Sequence, residues 1–276
     1  MVPLSWLLLF FGPLLTCPAV TELNTRPIIG IVVQQVTDKE LLPFGNTFIA
    51  DTYVKFLESA GCRVLCPDCQ IFYKLAIEST ASGHYFPIWG TCMGFQLLTA
   101  LTTGMDLLSS TPSYNVSLPL NLTSHVSSSK MFRNAPPGLL QVLSQEQVTA
   151  NFHHFGITAQ TFKTNEKLNN FYRVLSTNRD ENGVEFVSTM EARNYPIYGV
   201  QWHPEVNRFQ WSSDYAFPHS PSAVWISQYF ADFFVNEARK SQNHFESVEE
   251  EEAALIYNWT PKYIANISTY EQAYFF

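Results

Sequence analysis

The sequence predicts an α/β sandwich built on a mostly parallel sheet, and three observations carry that expectation. The chain opens as strand, helix and strand over residues 27–65. Gly90-Thr91-Cys92-Met93-Gly94 sits between an apolar run and a helix-forming run. Gln201-Trp202-His203-Pro204-Glu205 follows directly on a third strand-like segment.

Residues 27–33 (Pro-Ile-Ile-Gly-Ile-Val-Val) are continuously apolar, the pattern of a strand buried on both faces of a parallel sheet. Residues 47–60 repeat Phe48, Ile49, Tyr53, Phe56, Leu57 and Ala60 at helical spacing and stop at Gly61. Residues 63–65 begin a second strand, and residues 71–78 supply the next helix. Residues 85–89 then lead into Cys92 as a strand, and residues 95–101 lead away as a helix, which is the layout of a nucleophile elbow. Such a turn strains the nucleophile and brings backbone close, so side chains at the flanking positions Gly90 and Gly94 would clash. It also aims the sulfur at the helix N-terminus, which favours thiolate. On this motif alone a buried structural cysteine fits as well as a nucleophile.

Residues 109–129, rich in Ser, Thr, Asn and Pro, read as surface loops and short strands. Residues 171–176, 184–190 and 197–202 read as successive strands, with Asn182-Gly183 as a tight turn between the first two. Residues 223–240 form the clearest amphipathic helix. Trp225, Ile226, Tyr229, Phe230, Phe233 and Phe234 lie on its core stripe, and Arg239-Lys240 at its C-terminal end.

A chain of 276 residues, 46% hydrophobic and 15% aromatic, buries one sizeable core, so one domain over residues 26–276 is the simplest count. The net charge of -8 argues against nucleic acid as a partner. Part of that charge, Glu246 and residues 249–252, marks a solvated helix face or its approach. Residues 1–19 combine an apolar stretch with Cys17-Pro18-Ala19 and read as a secretory signal peptide. The stretch is too short for an ordinary membrane span, so no membrane association is expected after its removal. The sequons at Asn115, Asn121, Asn258 and Asn266 agree with secretion, Pro261 making the third the least favoured. Of five cysteines, Cys62, Cys66 and Cys69 cluster, but Cys66-x-x-Cys69 has no second pair, and no metal is expected.

His203 lies at a strand's carboxyl end, the edge where open α/β sheets carry their sites. Cys92 emerges at the same kind of edge, so a cysteine and a histidine far apart in sequence form the pattern of a spatial dyad. Glu205, two residues on, is placed to accept the other imidazole N–H and set its tautomer.

With both motifs present, the chain resembles the class I glutamine amidotransferase-like superfamily and, within it, the γ-glutamyl hydrolases. The resemblance rests on Arg26-Pro27-Ile28-Ile29-Gly30-Ile31, residues 53–61 (Tyr-Val-Lys-Phe-Leu-Glu-Ser-Ala-Gly) and residues 85–92 (Tyr-Phe-Pro-Ile-Trp-Gly-Thr-Cys). Thr149-Ala150-Asn151-Phe152-His153, residues 198–205 and residues 233–240 extend it over nearly the whole chain after the leader. It implies a flavodoxin-like three-layer sandwich, with Cys92 as nucleophile, His203 as general base and then acid, and Glu205 orienting it. It further implies a substrate-side role for His153, an oxyanion donor in the Met93 backbone N–H, and a surface position for His154, which does not match. The implied reaction is hydrolysis of folylpoly-γ-glutamates and antifolate polyglutamates through a glutamyl thioester, without cofactor, in a secreted or lysosomal homodimer. A glutaminase subunit shares the elbow and His-x-Glu, although the leader and sequons weigh against it. A non-catalytic binding or dimerising product is the other alternative.

Its motivation is a departure from the family pattern. A flavodoxin-like order needs a helix, a third strand and a further helix between residue 65 and the nucleophile strand, and one β-α unit takes about 30 residues. Only residues 66–84 intervene, so one β-α unit is expected to be missing. In the family that strand ends in a Pro-Gly-Gly turn that helps to form the oxyanion hole. This sequence has no Gly-Gly, and its one Pro-Gly, Pro137-Gly138, lies elsewhere.

Overall fold

The computed structural model describes residues 23–65 and 72–276. The leader expected over residues 1–19, together with Cys66 and Cys69, lies outside the described residues. The first half of the chain runs β1 (Ile28–Gly30), β2 (Gln34–Gln35), β3 (Thr47–Ala50), α1 (Asp51–Glu58), β4 (Arg63–Leu65), α2 (Phe72–Ala81), β5 (Ile88–Thr91) and α3 (Met93–Thr103). It continues through β6 (Ser109–Leu118), β7 (Asn121–Leu122), α4 (Leu139–Gln145), β8 (Thr149–Gly156), α5 (Ala159–Thr164), α6 (Glu166–Phe171), β9 (Tyr172–Arg179) and β10 (Glu185–Ala192). β11 (Ile197–Val200), α7 (Val206–Phe209), α8 (Pro221–Ala238), α9 (Val248–Ala254), β12 (Lys262–Tyr263) and β13 (Gln272–Phe275) complete it.

The fold is mixed α/β. β5 and β11 pair in parallel, with Val200 opposite Thr91, and β10, β9 and β7 extend that sheet antiparallel. β1 and β4 form a second parallel pair. Side chains on the two faces of β11 alternate between two cores, as a pleated strand requires. Tyr198 and Val200 join α8 residues Ile226, Phe230 and Phe234 on one side. Ile197 joins Phe95 and Leu98 of α3 on the other. Helix, sheet and helix therefore stack in three layers.

Residues 27–33 do not form the doubly buried strand that their run of apolar residues suggests. β1 is three residues long, and among the described residues its ladder pairs with β4 alone. Val32, just beyond it, is 52% exposed, and among the described residues no second strand pairs on that side. Ile29 and Val64 still pack in the same core as Tyr198 and Val200, so the two parallel pieces share a core without sharing a ladder.

Two other expectations change for tertiary reasons. Residues 47–50 are strand, not the first turn of a helix, because β13 returns from the C-terminus and pairs with them, Ala273 opposite Ala50 and Phe275 opposite Phe48. Residues 109–118 form one ten-residue strand where surface loops and short strands were expected, because β8 supplies a full antiparallel partner. Composition rich in Ser and Asn is a weak guide when a ladder is on offer. α8 matches its amphipathic pattern, capped by the Ser220 side chain and opened by Pro221, the preferred residues at those positions. The acidic run forms exposed α9, with three glutamates in its first turn, where the helix dipole favours them.

Candidate active site

The sharp strand-to-helix turn expected around Cys92 is present in the backbone. Cys92 caps α3 with φ 49 and ψ -102, a left-handed conformation that costs a non-glycine residue about 1–3 kcal/mol. Its backbone N–H donates to Val200 O at 2.8 Å, which ties the turn to β11. The glycines flanking it differ in purpose. A Cβ on Gly90 would lie 2.6 Å from the carbonyl carbon of Gly94, so the helix can approach only a glycine. A Cβ on Gly94 would meet nothing within 4 Å, contrary to the expectation that both positions are sterically closed. Gly94 contributes its backbone to the contact, and the missing side chain is the one at Gly90.

His203 lies three residues beyond β11, and its backbone N–H donates to Ala150 O of β8 at 2.9 Å. Its Nδ1 lies 2.7 Å from Glu205 Oε1, and Glu205 is almost fully buried. Burial opposes charge on this imidazole, but the charge of the Glu205 carboxylate, hydrogen-bonded at Nδ1, and the nearby Cys92 sulfur outweigh that and raise its pKa well above the ordinary value. The shift favours the protonated ring, whose Nδ1 faces the Glu205 carboxylate. The parallel β5–β11 pair brings Cys92 and His203 to one sheet edge across more than a hundred residues of sequence.

Residues that carried no role in the sequence reading complete the surroundings. The Tyr53 hydroxyl on α1 lies 3.4 Å from His203 Nδ1, and burial together with the Glu205 charge keeps it protonated. Phe152 of β8 packs edge-on against the His203 ring at 5.9 Å, and Tyr215 and Phe217 pack edge-on against Phe152. Gln201, fully buried, donates from Nε2 to Cys92 Sγ at 3.6 Å.

His153 is close to this group but does not join it. On β8 it faces away from Phe152 and packs edge-on against Phe186 of β10 at 4.9 Å. Among the described residues neither of its ring nitrogens has a hydrogen-bond partner, and it is 3% exposed. Burial and the neighbouring His203 charge lower its pKa to about 4, so it is neutral where His203 is charged. His154 is exposed and stacks on Tyr114 at 5.0 Å, as a surface position requires. The Met93 N–H opens α3, where the helix leaves its first amides unpaired. Among the described residues no group of three or more His, Cys, Asp or Glu side chains is placed to hold a metal ion. No helix among them is long and apolar enough to cross a membrane.

The sequons differ in their surroundings. Asn115 donates to Asp214 O and accepts from the Ala216 N–H, and Ser117 donates to Ala216 O, so the first sequon holds a neighbouring loop. Asn121 donates to Thr177 Oγ1, and Asn258 donates to three carbonyls at the end of α9. Asn266 is exposed.

A family model described as Peptidase C26 matches residues 72–205. The chain is 43% identical to γ-glutamyl hydrolase of Homo sapiens over 286 aligned positions, covering 91% of this chain and 90% of that one. Identity to γ-glutamyl hydrolase of Bos taurus is 42%, with the same coverage of both chains. γ-Glutamyl hydrolase B of Dictyostelium discoideum is 33% identical over all of this chain and 90% of its own.

Proposed function

We propose that this chain, which belongs to the γ-glutamyl hydrolase family, hydrolyses γ-glutamyl bonds of folylpoly-γ-glutamates and antifolate polyglutamates with Cys92 as nucleophile. The observation that carries the reading is a strained Cys92 at the same sheet edge as His203, whose Nδ1 lies 2.7 Å from buried Glu205. The Cys92 thiolate attacks the γ-amide carbonyl carbon, and the carbonyl electrons move onto oxygen, where the Met93 N–H is the available helix-terminal donor. The tetrahedral species collapses as the C–N bond breaks, and the His203 imidazolium gives its Nε2 proton to the leaving amine. Neutral His203 then takes a proton from water, whose oxygen attacks the thioester and releases the glutamate carboxylate and the Cys92 thiolate. Glu205 holds Nδ1–H throughout, as the third member of a triad does. His153, neutral and buried behind Phe152, is assigned a supporting position on the substrate side rather than contact with the reacting atoms.

The test is release of glutamate from a γ-glutamyl peptide by the purified chain and its Cys92→Ser and His203→Asn variants. Loss in both variants, with Cys92 labelling dependent on His203, is the expected result. Equal release by wild type and Cys92→Ser would end the reading. Secretion or lysosomal delivery after loss of residues 1–19, glycosylation at the sequons and homodimer formation belong to the same proposal.

A second reading concerns how active this particular chain is. The 286 positions aligned with the human relative cover 91% of these 276 residues, or about 251, so about 35 positions have no residue here. That is the size of one β-α unit, about 30 residues. The break between β1 and β5 lies where a third strand would join them, and residues 66–71 are too few for a β-α unit of about 30 residues. We attribute both to an internal deletion, which leaves one oxyanion donor from the missing turn unreplaced by backbone and lowers the rate about 100 to 1,000-fold. Restoring the unit between residues 65 and 72 raises both activity and stability on this reading. Equal activity with and without it would overturn it.

A further inference from the structure

We propose that Gln201 is a catalytic residue, its side-chain amide supplying the second donor to the oxyanion formed on Cys92. The proposal rests on the thioester reading above and names a group which that reading leaves without a role. Gln201 Nε2 lies 3.6 Å from Cys92 Sγ, and the side chain is fully buried. The oxyanion oxygen is two bonds from Sγ, on the carbon that the sulfur attacks, so a donor that touches Sγ lies beside the place where the charge develops and is proposed to close to roughly 2.7–3.1 Å as the acyl group enters the site.

The orientation of that amide follows from its neighbours. Gln96, one helical turn after Cys92 on α3, donates from Nε2 to Phe155 O at 2.8 Å, so its nitrogen faces the carbonyl. The same nitrogen lies 3.4 Å from Gln201 Oε1, which fixes the acceptor end of Gln201 towards Gln96. The donor end of Gln201 is thereby turned to the sulfur. The Gln201 backbone N–H donates to Ser188 O at 2.9 Å, so the residue is anchored at both ends. A neutral amide held in this way loses little reorganisation when charge appears beside it, which is the condition for electrostatic catalysis. Gln96 never touches the reacting atoms and is a positioning residue.

Alkylation of Cys92 by iodoacetamide displaces iodide at carbon and forms no oxyanion, whereas addition of Cys92 to a γ-glutamyl aldehyde does form one. Wild type, Gln201→Met and Gln96→Met are compared for alkylation at a pH where the thiolate is fully formed, for aldehyde affinity, and for kcat and KM on a γ-glutamyl peptide. The expected result for Gln201→Met is alkylation within about twofold of wild type, with kcat and aldehyde affinity each down about 100-fold or more and KM little changed. Gln96→Met shows the same pattern with a smaller loss. Parallel loss of alkylation and aldehyde affinity, or unchanged aldehyde affinity, would overturn the proposal. If wild type fails to turn over peptide, the functional reading falls, and the aldehyde and alkylation arms still decide the role of Gln201.

Discussion

Replacing His153 by leucine will flatten the acid side of the stability curve. In the folded chain this ring holds a proton only below pH about 4, because it is buried and faces the His203 charge. In the unfolded chain an ordinary histidine takes a proton below about 6.5. Between those values the unfolded state binds one more proton, so the free energy of unfolding falls as acid is added. The interval from about 6.5 to about 4, at about 1.36 kcal/mol per pH unit, amounts to about 3 kcal/mol lost between neutral pH and pH 4. His203 acts with the opposite sign. Its raised pKa makes a contribution that is complete below about 6.5 and is lost only as pH rises through the folded value, so it does not bend the acid limb. Leucine also disturbs the contact with Phe186, but that shifts the curve without changing its slope. Urea unfolding of wild type, His153→Leu and His153→Gln at intervals between about pH 4 and about pH 7.5 measures the difference. Both variants should gain on wild type by up to about 3 kcal/mol at the acid end. If all three lose stability in parallel, His153 is not the neutral buried base described here.

Cys92→Gly relieves a left-handed backbone and should raise stability by about 1 kcal/mol in urea unfolding while abolishing hydrolysis. Gly90→Ala should cost about 1–3 kcal/mol by the same measurement, because its Cβ is driven into the Gly94 backbone. Gly94→Ala, with open space around its Cβ at the start of α3, should be neutral or gain up to about 1 kcal/mol. Peptide mass mapping of chain from secreting cells should find glycan mainly at Asn266, with low occupancy at Asn115 and Asn258, whose amides are engaged in the fold. Full occupancy at Asn115 would show that its loop is held in some other way.

Much of the site was legible because it is local. Gly90 to Gly94 and Gln201 to Glu205 are each a few residues long, and strand-to-helix turns and strand ends impose their chemistry on neighbours in sequence. α8 was legible for a related reason, since an apolar stripe on an eighteen-residue helix states both its period and its buried face. β3 and β6 were not, because the partners that make them strands, β13 and β8, arrive from far along the chain. A residue pattern with no ladder in view reads as helix or loop. His153 was named for its motif, but its rotation away from Phe152 and its neutrality follow from the strand face that β8 presents to β10.

Sequence alone determined the α/β class, the elbow, the His-Pro-Glu strand end and the shortage of chain between residues 65 and 85, all properties of contiguous residues. Tertiary structure decided that Gly90 and not Gly94 is sterically required, that Gln201 reaches the sulfur, and that the parallel strands fall into two pairs. The last two depend on the distance between segments remote in sequence, and the first on how closely the turn folds α3 back over Gly90. Such distances are set by packing, which no single stretch of residues encodes.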